Sequence, residues 1–158
     1  MNLTGTWKGE YTFEETTEGG GREVAGIVVP FTMELKQGWL GSVTGTIKED
    51  PRVGFQEEGT IKGHVKGQVF GFDKKMPVMR AIHEKGRMSL EQWTERHKIT
   101  MDLSESHPKI NHIGDISEDG KTIEGTWLMK ELKMPVPGSG NMYYLPKLAG
   151  TFKMTRQG

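Results

Sequence analysis

The chain has 158 residues and no cysteine, and its 21 basic residues balance 21 acidic ones for a formal charge of zero. Disulfides, thiolate metal sites and cysteine nucleophiles are therefore excluded, and balanced, interspersed charge leaves no field to draw the chain toward nucleic acid or an anionic membrane. The longest near-apolar run, Ala25 to Phe31, is seven residues, far short of the roughly 20 of a membrane-spanning helix.

A chain of this length predicts one domain over residues 1–158, burying roughly 68–70% of its unfolded surface without staples. No positively charged and then apolar stretch precedes the first patterned segment, so the sequence reads as cytoplasmic. Asn2-Leu3-Thr4 matches the glycosylation sequon, a three-residue pattern frequent by chance.

In chain order, the dominant signal is period-two alternation, which sends successive side chains to opposite faces of a strand. From Thr4 to Phe13, Trp7, Tyr11 and Phe13 share one face with Gly5 and Gly9, while Thr6, Lys8, Glu10 and Thr12 share the other. The stretch Ala25 to Lys36 repeats the pattern, with Ile27, Val29, Phe31, Met33 and Leu35 inward. Val43 and Ile47 mark a third strand, Ile61 and Val65 a fourth, and Val69 to Met76 a fifth whose phase is blurred by adjacent Val69 and Phe70. Ile110 to Ile116, Thr122 to Lys130 and Ala149 to Arg156 complete eight strands. Gln37-Gly38, Lys66-Gly67 and Asp119-Gly120 stand where tight reversals are needed. Between the fifth and sixth strands, residues 77–108 form an insertion. Ser89 precedes Leu90 there and Gln92 follows three residues on, a capping-box pattern that predicts one short helix over about 89–98.

Five strands carry glycine, threonine and a bulky apolar residue in succession, at Gly5, Gly45, Gly59, Gly125 and Gly150. The spacings are irregular, so the triplet belongs to the strand and not to a repeating module. Glycine and the bulky residue share the inner face, and inner glycines suit the bends of a sheet that closes on itself. One-sided burial in eight meandering strands thus predicts an all-β, eight-stranded antiparallel up-and-down barrel.

The Gly5-Thr6-Trp7 opening on a cysteine-free, eight-stranded meander resembles the calycin-type barrels: lipocalins, intracellular fatty-acid-binding proteins and avidins. The resemblance implies that Trp7 sits at the closed end of the barrel and that Arg156, on the last strand, packs over it. It also implies an interior that takes a small hydrophobic ligand. The chain departs from those families in lacking a Thr-Asp-Tyr motif, in a loop from Glu14 to Arg22 too short for a capping helical pair, and in the 77–108 insertion.

Alternation nominates an interior rich in aromatics and methionine, and from it a ligand-binding set: Tyr11, Phe31, Met33, Phe72, His112, Trp127, Met129 and Phe152, with Tyr143 from the Pro/Gly-rich loop Leu132 to Pro146 as a lid or plug. Such residues equally make ordinary core. Inner glycines, among them Gly114 and Gly125, subtract volume and leave room for a cavity. His112, in phase with Ile110 and Gly114, faces inward, where an imidazole can orient a ligand, move a proton or simply be satisfied by a neighbour. Tyr11, Lys74 and Arg156 are candidate polar companions near a barrel end. Glu10, Glu34 and Glu124 fall on the outer face, so no paired carboxylate is expected inside.

The sequence thus predicts a barrel binding a small apolar or amphipathic molecule, without a cofactor, a haem held by His112 being the alternative. Partners expected are that molecule and no nucleic acid, with no membrane span and a homodimer as an option. Two other readings stand beside it: an isomerase or cyclase using His112, and a filled barrel that acts in protein–protein interaction.

Overall fold

The computed structural model describes residues 2–16, 24–77, 80–83, 86–89, 108–135, 142–145 and 147–158. Eight antiparallel strands close into one barrel: β1 (Gly5–Glu14), β2 (Val28–Gln37), β3 (Ser42–Glu49), β4 (Gly59–Lys66), β5 (Val69–Lys75), β8 (Ile110–Ile116), β9 (Thr122–Met129) and β12 (Leu148–Arg156). β1 pairs with β2 on one side and β12 on the other, so that Trp7 lies opposite both Met33 and Arg156 and no barrel edge is left open. Two hairpins stand apart in the connections: β6 (Arg80–His83) with β7 (Gly86–Ser89), and β10 (Leu132–Pro135) with β11 (Met142–Leu145).

The expected eight-stranded barrel is the observed one, and the pleat explains why. Trp7, Tyr11, Phe13, Val29, Phe31, Met33, Val43, Ile47, Ile61, Phe72, Ile110, Ile123, Trp127, Met129, Phe152 and Met154 are all buried in one core, with Ile27 and Val65 packed half-buried against it. Threonine, lysine and glutamate occupy most of the opposite, outward positions. The ambiguous phase of β5 resolves with Phe70, Phe72 and Lys74 inside and Val69 turned out. The second strand begins at Val28 instead of Ala25, because Val24–Gly26 is a turn in which the Gly26 N–H donates to the Phe13 carbonyl at 2.9 Å.

Gly67 and Gly120 adopt positive φ, +62° and +70°, at their reversals as expected. In the β2–β3 reversal the left-handed positions are instead Leu40 and Gly41, within a single 3-10 turn, Trp39–Gly41 (η1), which is the helical element among the described residues. The helix expected over 89–98 meets a strand at its first residue: Ser89 ends β7 in register with Arg80 instead of capping a helix. Residues 90–98 lie outside the described residues.

The inner glycines do not leave a hollow. A β-carbon at Gly114 would lie 2.8 Å from both the Ile123 and Phe152 side chains, and one at Gly150 would lie 2.6 Å from Trp127 Nε1 and 1.7 Å from the Thr12 carbonyl oxygen. Their missing side chains let a ring or a neighbouring strand come closer, so the volume they give up is already used.

Candidate functional site at the barrel mouth

The two ends of the barrel differ in how the strands are joined. At one end the connections are short: 38–41, 67–68 and 117–121. At the other, four longer ones converge: 15–27, 50–58, 76–109 and 130–147. The short-turn end is closed by Trp7, whose Nε1 donates to the Leu3 carbonyl at 2.9 Å and whose ring is covered by the Arg156 guanidinium, 5.0 Å from the ring centroid. Arg156 also donates through Nη2 to the Asn2 carbonyl. This matches the Trp–Arg arrangement that the resemblance implies, and it places Arg156 with Trp7 at the closed end, separate from the Tyr11–Lys74 group.

Buried polar chemistry gathers near the other end, the mouth. Glu49, Lys74 and His112 are the buried acidic and basic side chains among the described residues. The Lys74 ammonium, 2% exposed, donates to Glu49 Oε2 at 2.7 Å, and the Tyr11 hydroxyl donates to Oε1 at 2.7 Å. The backbone N–H of Phe55 adds a third bond to Oε1 at 3.1 Å, and the ammonium sits 4.3 Å from the Tyr11 ring centroid. A buried carboxylate with these donors is a satisfied ion and not an available base. The Phe55 bond also anchors the 50–58 connection over the barrel, with the Phe55 ring in the core. The turn is begun by Asp50, whose carbonyl accepts from Val53 and Gly54 N–H and whose carboxylate holds Arg52 at 2.7 Å. That hydrogen bond lowers the Asp50 carboxyl to about 2.

Glu49 is a single inward carboxylate that the sequence reading did not place, and among the described residues no second buried carboxylate pairs with it. It continues the inward alternation Val43, Gly45, Ile47 by one more step, so the signal was present two residues beyond Ile47.

His112 faces Trp127 across the β8–β9 ladder and Phe72 across β5–β8. Its ring stacks on Phe72 at 4.4 Å and 15°, and meets Phe152 edge-on at 5.3 Å. A second aromatic group adjoins: Trp127 lies edge-on to Tyr11 at 5.8 Å and to Phe13 at 5.1 Å, Tyr11 stacks near Phe31 at 6.3 Å, and Trp127 Nε1 donates to the Thr12 carbonyl at 3.0 Å. His112 Nδ1 lies 3.0 Å from the Ile110 carbonyl oxygen, an acceptor, which assigns the proton to Nδ1 and leaves the lone pair on Nε2. Among the described residues no hydrogen bond reaches Nε2. Burial, reinforced by the Lys74 charge, drives the imidazole down to about 3 against the opposing pull of the Ile110 bond and Glu49.

The sign of the resulting pH dependence follows. The unfolded chain binds a proton on this histidine below about 6.5 while the folded barrel refuses it until about 3. Its neutral burial therefore contributes fully above pH 6.5, and stability falls as pH drops through that window. His112→Phe should flatten this acid limb, read as the pH dependence of the urea midpoint between pH 7 and 4. An unchanged limb in the variant would assign the acid sensitivity to other groups.

Of the nominated ligand set, Tyr11, Phe31, Phe72, His112, Trp127, Met129 and Phe152 are buried on neighbouring strands, with direct ring contacts linking Tyr11 to Phe31 and Trp127, and His112 to Phe72 and Phe152. Met33 is buried too, but its register partners are Trp7 and Ile47. Tyr143 lies in β11 opposite Met134, within the connection at the mouth, and its side chain lies outside the described residues. A separate surface depression of about 490 Å³ lies against the outer wall, where Thr12, Thr126 and Thr151 adjoin Glu10, Glu124 and Lys153. Among the described residues no group of three or more histidine or carboxylate side chains is placed to hold a metal ion.

This strand order and one-sided burial define a closed, eight-stranded, antiparallel up-and-down barrel. One solved structure, described as EF1p2_mFAP2b bound to DFHBI, is similar over 98% of this chain and 94% of its own, with a TM-score of 0.52 and 14% identity. At that identity the likeness is one of fold. No family model matches the chain, and no curated protein matches its sequence.

Proposed function

We propose that the barrel binds a small apolar or amphipathic molecule at its mouth, the rings of Phe72, Phe152 and Trp127 covering the apolar part and His112 Nε2 accepting a hydrogen bond from the ligand's donor. The observation that carries this reading is a neutral, inward imidazole held by ring stacking and by one backbone bond, with an acceptor atom that no described residue uses. An acceptor in an apolar setting gains most from a partner that brings its own donor. The bound DFHBI of the similar barrel, a small fluorogenic ligand, supports the same use of the scaffold. The packed inner glycines favour a ligand seated above the filled closed end and not one running the length of the barrel. On this reading the chain is an outlying relative of the lipocalin, fatty-acid-binding and avidin group.

Acid–base catalysis has less support. A base at about 3 drives proton abstraction poorly at neutral pH, and in its described hydrogen bond the imidazole donates to a backbone carbonyl and not to a second side chain.

The test uses DFHBI as the probe. The wild-type protein should enhance its fluorescence saturably, and His112→Phe, which keeps the stack on Phe72 and removes the acceptor, should weaken the affinity about tenfold. Absence of saturable binding to the wild type, or equal affinity in the variant, would overturn the assignment.

A further inference from the structure

The two most exposed large apolar side chains among the described residues are adjacent: Trp39 is 85% and Leu40 81% exposed, at the tip of the β2–β3 reversal. Leu40 has φ +55° and ψ +31°, a left-handed conformation costly for a branched side chain and easily met by glycine. The tip is nevertheless fixed. The Ser42 N–H and Oγ both donate to the Trp39 carbonyl, and the Gly38 N–H donates to the Ser42 carbonyl at 2.7 Å. On its inner side, Gly41 packs on the Val65 carbonyl and the His64 ring of β4. Strain, rigidity and exposure thus coincide on two apolar residues aimed away from the core. Val69, beginning the neighbouring strand, adds a third partly exposed apolar side chain on this arc of the rim.

The charged side chains on the outward faces of β3 and β4, beside the tip, are all basic. Lys36 and Lys62 flank Thr44 from either side of the ladder, and Lys66 ends β4 beside the tip. The outward faces of β3 and β4 carry serine, threonine, lysine and His64 and no carboxylate. The nearest negative charges are on the flanking strands: Glu34, which accepts from the Thr6 hydroxyl, Asp73, which lies opposite Lys62 and accepts from the Asn111 amide, and Asp115 beyond them, opposite Val69. Among the described residues Lys36, Lys62 and Lys66 make no ion pair. The acidic turn Glu118–Asp119 joins β8 to β9, on another arc of the rim.

We propose that this tip docks the barrel, closed end down, on an anionic lipid bilayer. Trp39 and Leu40 enter the interfacial layer while Lys36, Lys62 and Lys66 remain at headgroup level. Tryptophan suits that depth because its ring is apolar and its indole N–H finds a polar partner. Basic side chains near an anionic surface add attraction that salt screens. Net neutrality does not oppose this, because the field that matters within a Debye length is local. The mouth would then face the aqueous side, free to exchange its ligand.

The test is co-sedimentation with vesicles of phosphatidylcholine containing about a third phosphatidylserine, against phosphatidylcholine alone. The wild type should partition onto the anionic vesicles and be released by high salt. Trp39→Ala and Leu40→Gly should each lower the partition coefficient about tenfold, the scale of one large apolar side chain withdrawn from water. The triple change Lys36→Gln, Lys62→Gln, Lys66→Gln should lower it about a hundredfold, roughly fivefold per lysine. Leu40→Gly relieves the left-handed strain, so its melting temperature should be equal to or a few degrees above that of the wild type, which separates lost docking from lost folding. The proposal is overturned if the wild type stays in the supernatant, if both tip variants partition unchanged, or if sedimentation velocity without vesicles reveals a Trp39-dependent dimer, which would give the tip to a second copy of the chain.

Discussion

Glu49→Gln should lower folding stability by about 3–5 kcal/mol, the range for breaking a buried ion pair from one side. The amide still offers an oxygen to the Tyr11 hydroxyl and the Phe55 N–H, so the loss isolates the charge that faces the Lys74 ammonium at 2.7 Å. Attraction within the pair offsets the desolvation of both ions only while both are present. Pairing Glu49→Gln with Lys74→Met should return a substantial part of the loss, because the second change removes a buried cation that has lost its carboxylate at 2.7 Å. Urea unfolding of the four proteins measures both effects. Equal stability of Glu49→Gln and the wild type would mean that this pair does not hold the mouth together.

Trp7→Ala should cost about as much, roughly 3–5 kcal/mol, by a different mechanism. Trp7 is completely buried at the closed end, and its removal opens a cavity beneath Arg156 and deprives the Leu3 carbonyl of its donor. Trp7→Phe keeps a ring under the guanidinium and loses the Nε1 bond, so it should cost nearer 1 kcal/mol beyond the reduced ring volume. Thermal denaturation should place Trp7→Ala about 10 °C below the wild type. Because the closed end is remote from His112, whatever Trp7→Phe protein remains folded should bind the DFHBI probe normally.

The barrel was legible in the sequence because its signal is local. Alternation at Trp7, Tyr11 and Phe13, or at Ile110, His112 and Gly114, sets a strand's inner face without reference to its neighbours. His112 could be placed inside on that basis alone, and Arg156 over Trp7 by resemblance. What alternation does not supply is register. Tyr11 and Glu49 are 38 positions apart, and Lys74 is 25 beyond Glu49, so their meeting depends on how far each strand is staggered around the barrel. Glu49 also carries a charge, and a charge at a strand's end reads as the start of a loop. The left-handed residue of the β2–β3 reversal was expected at Gly38 and falls on Leu40 and Gly41, because the hydrogen bonds of Ser42 to Trp39 move the bend along the chain. The hairpins β6–β7 and β10–β11 use strands of four residues, too short for alternation to register.

The most direct test of the ligand site uses the tryptophan indole N–H signals during titration with DFHBI. Three of these reporters occupy known places: Trp127 donates to the Thr12 carbonyl near the mouth, Trp7 donates to the Leu3 carbonyl at the closed end, and Trp39 stands exposed on the rim. A ligand seated against His112 should shift the Trp127 indole resonance saturably, one equivalent to the chain, while Trp7 and Trp39 stay in place. Saturable shifts confined to Trp39, or binding that leaves Trp127 unmoved, would contradict a site at the mouth.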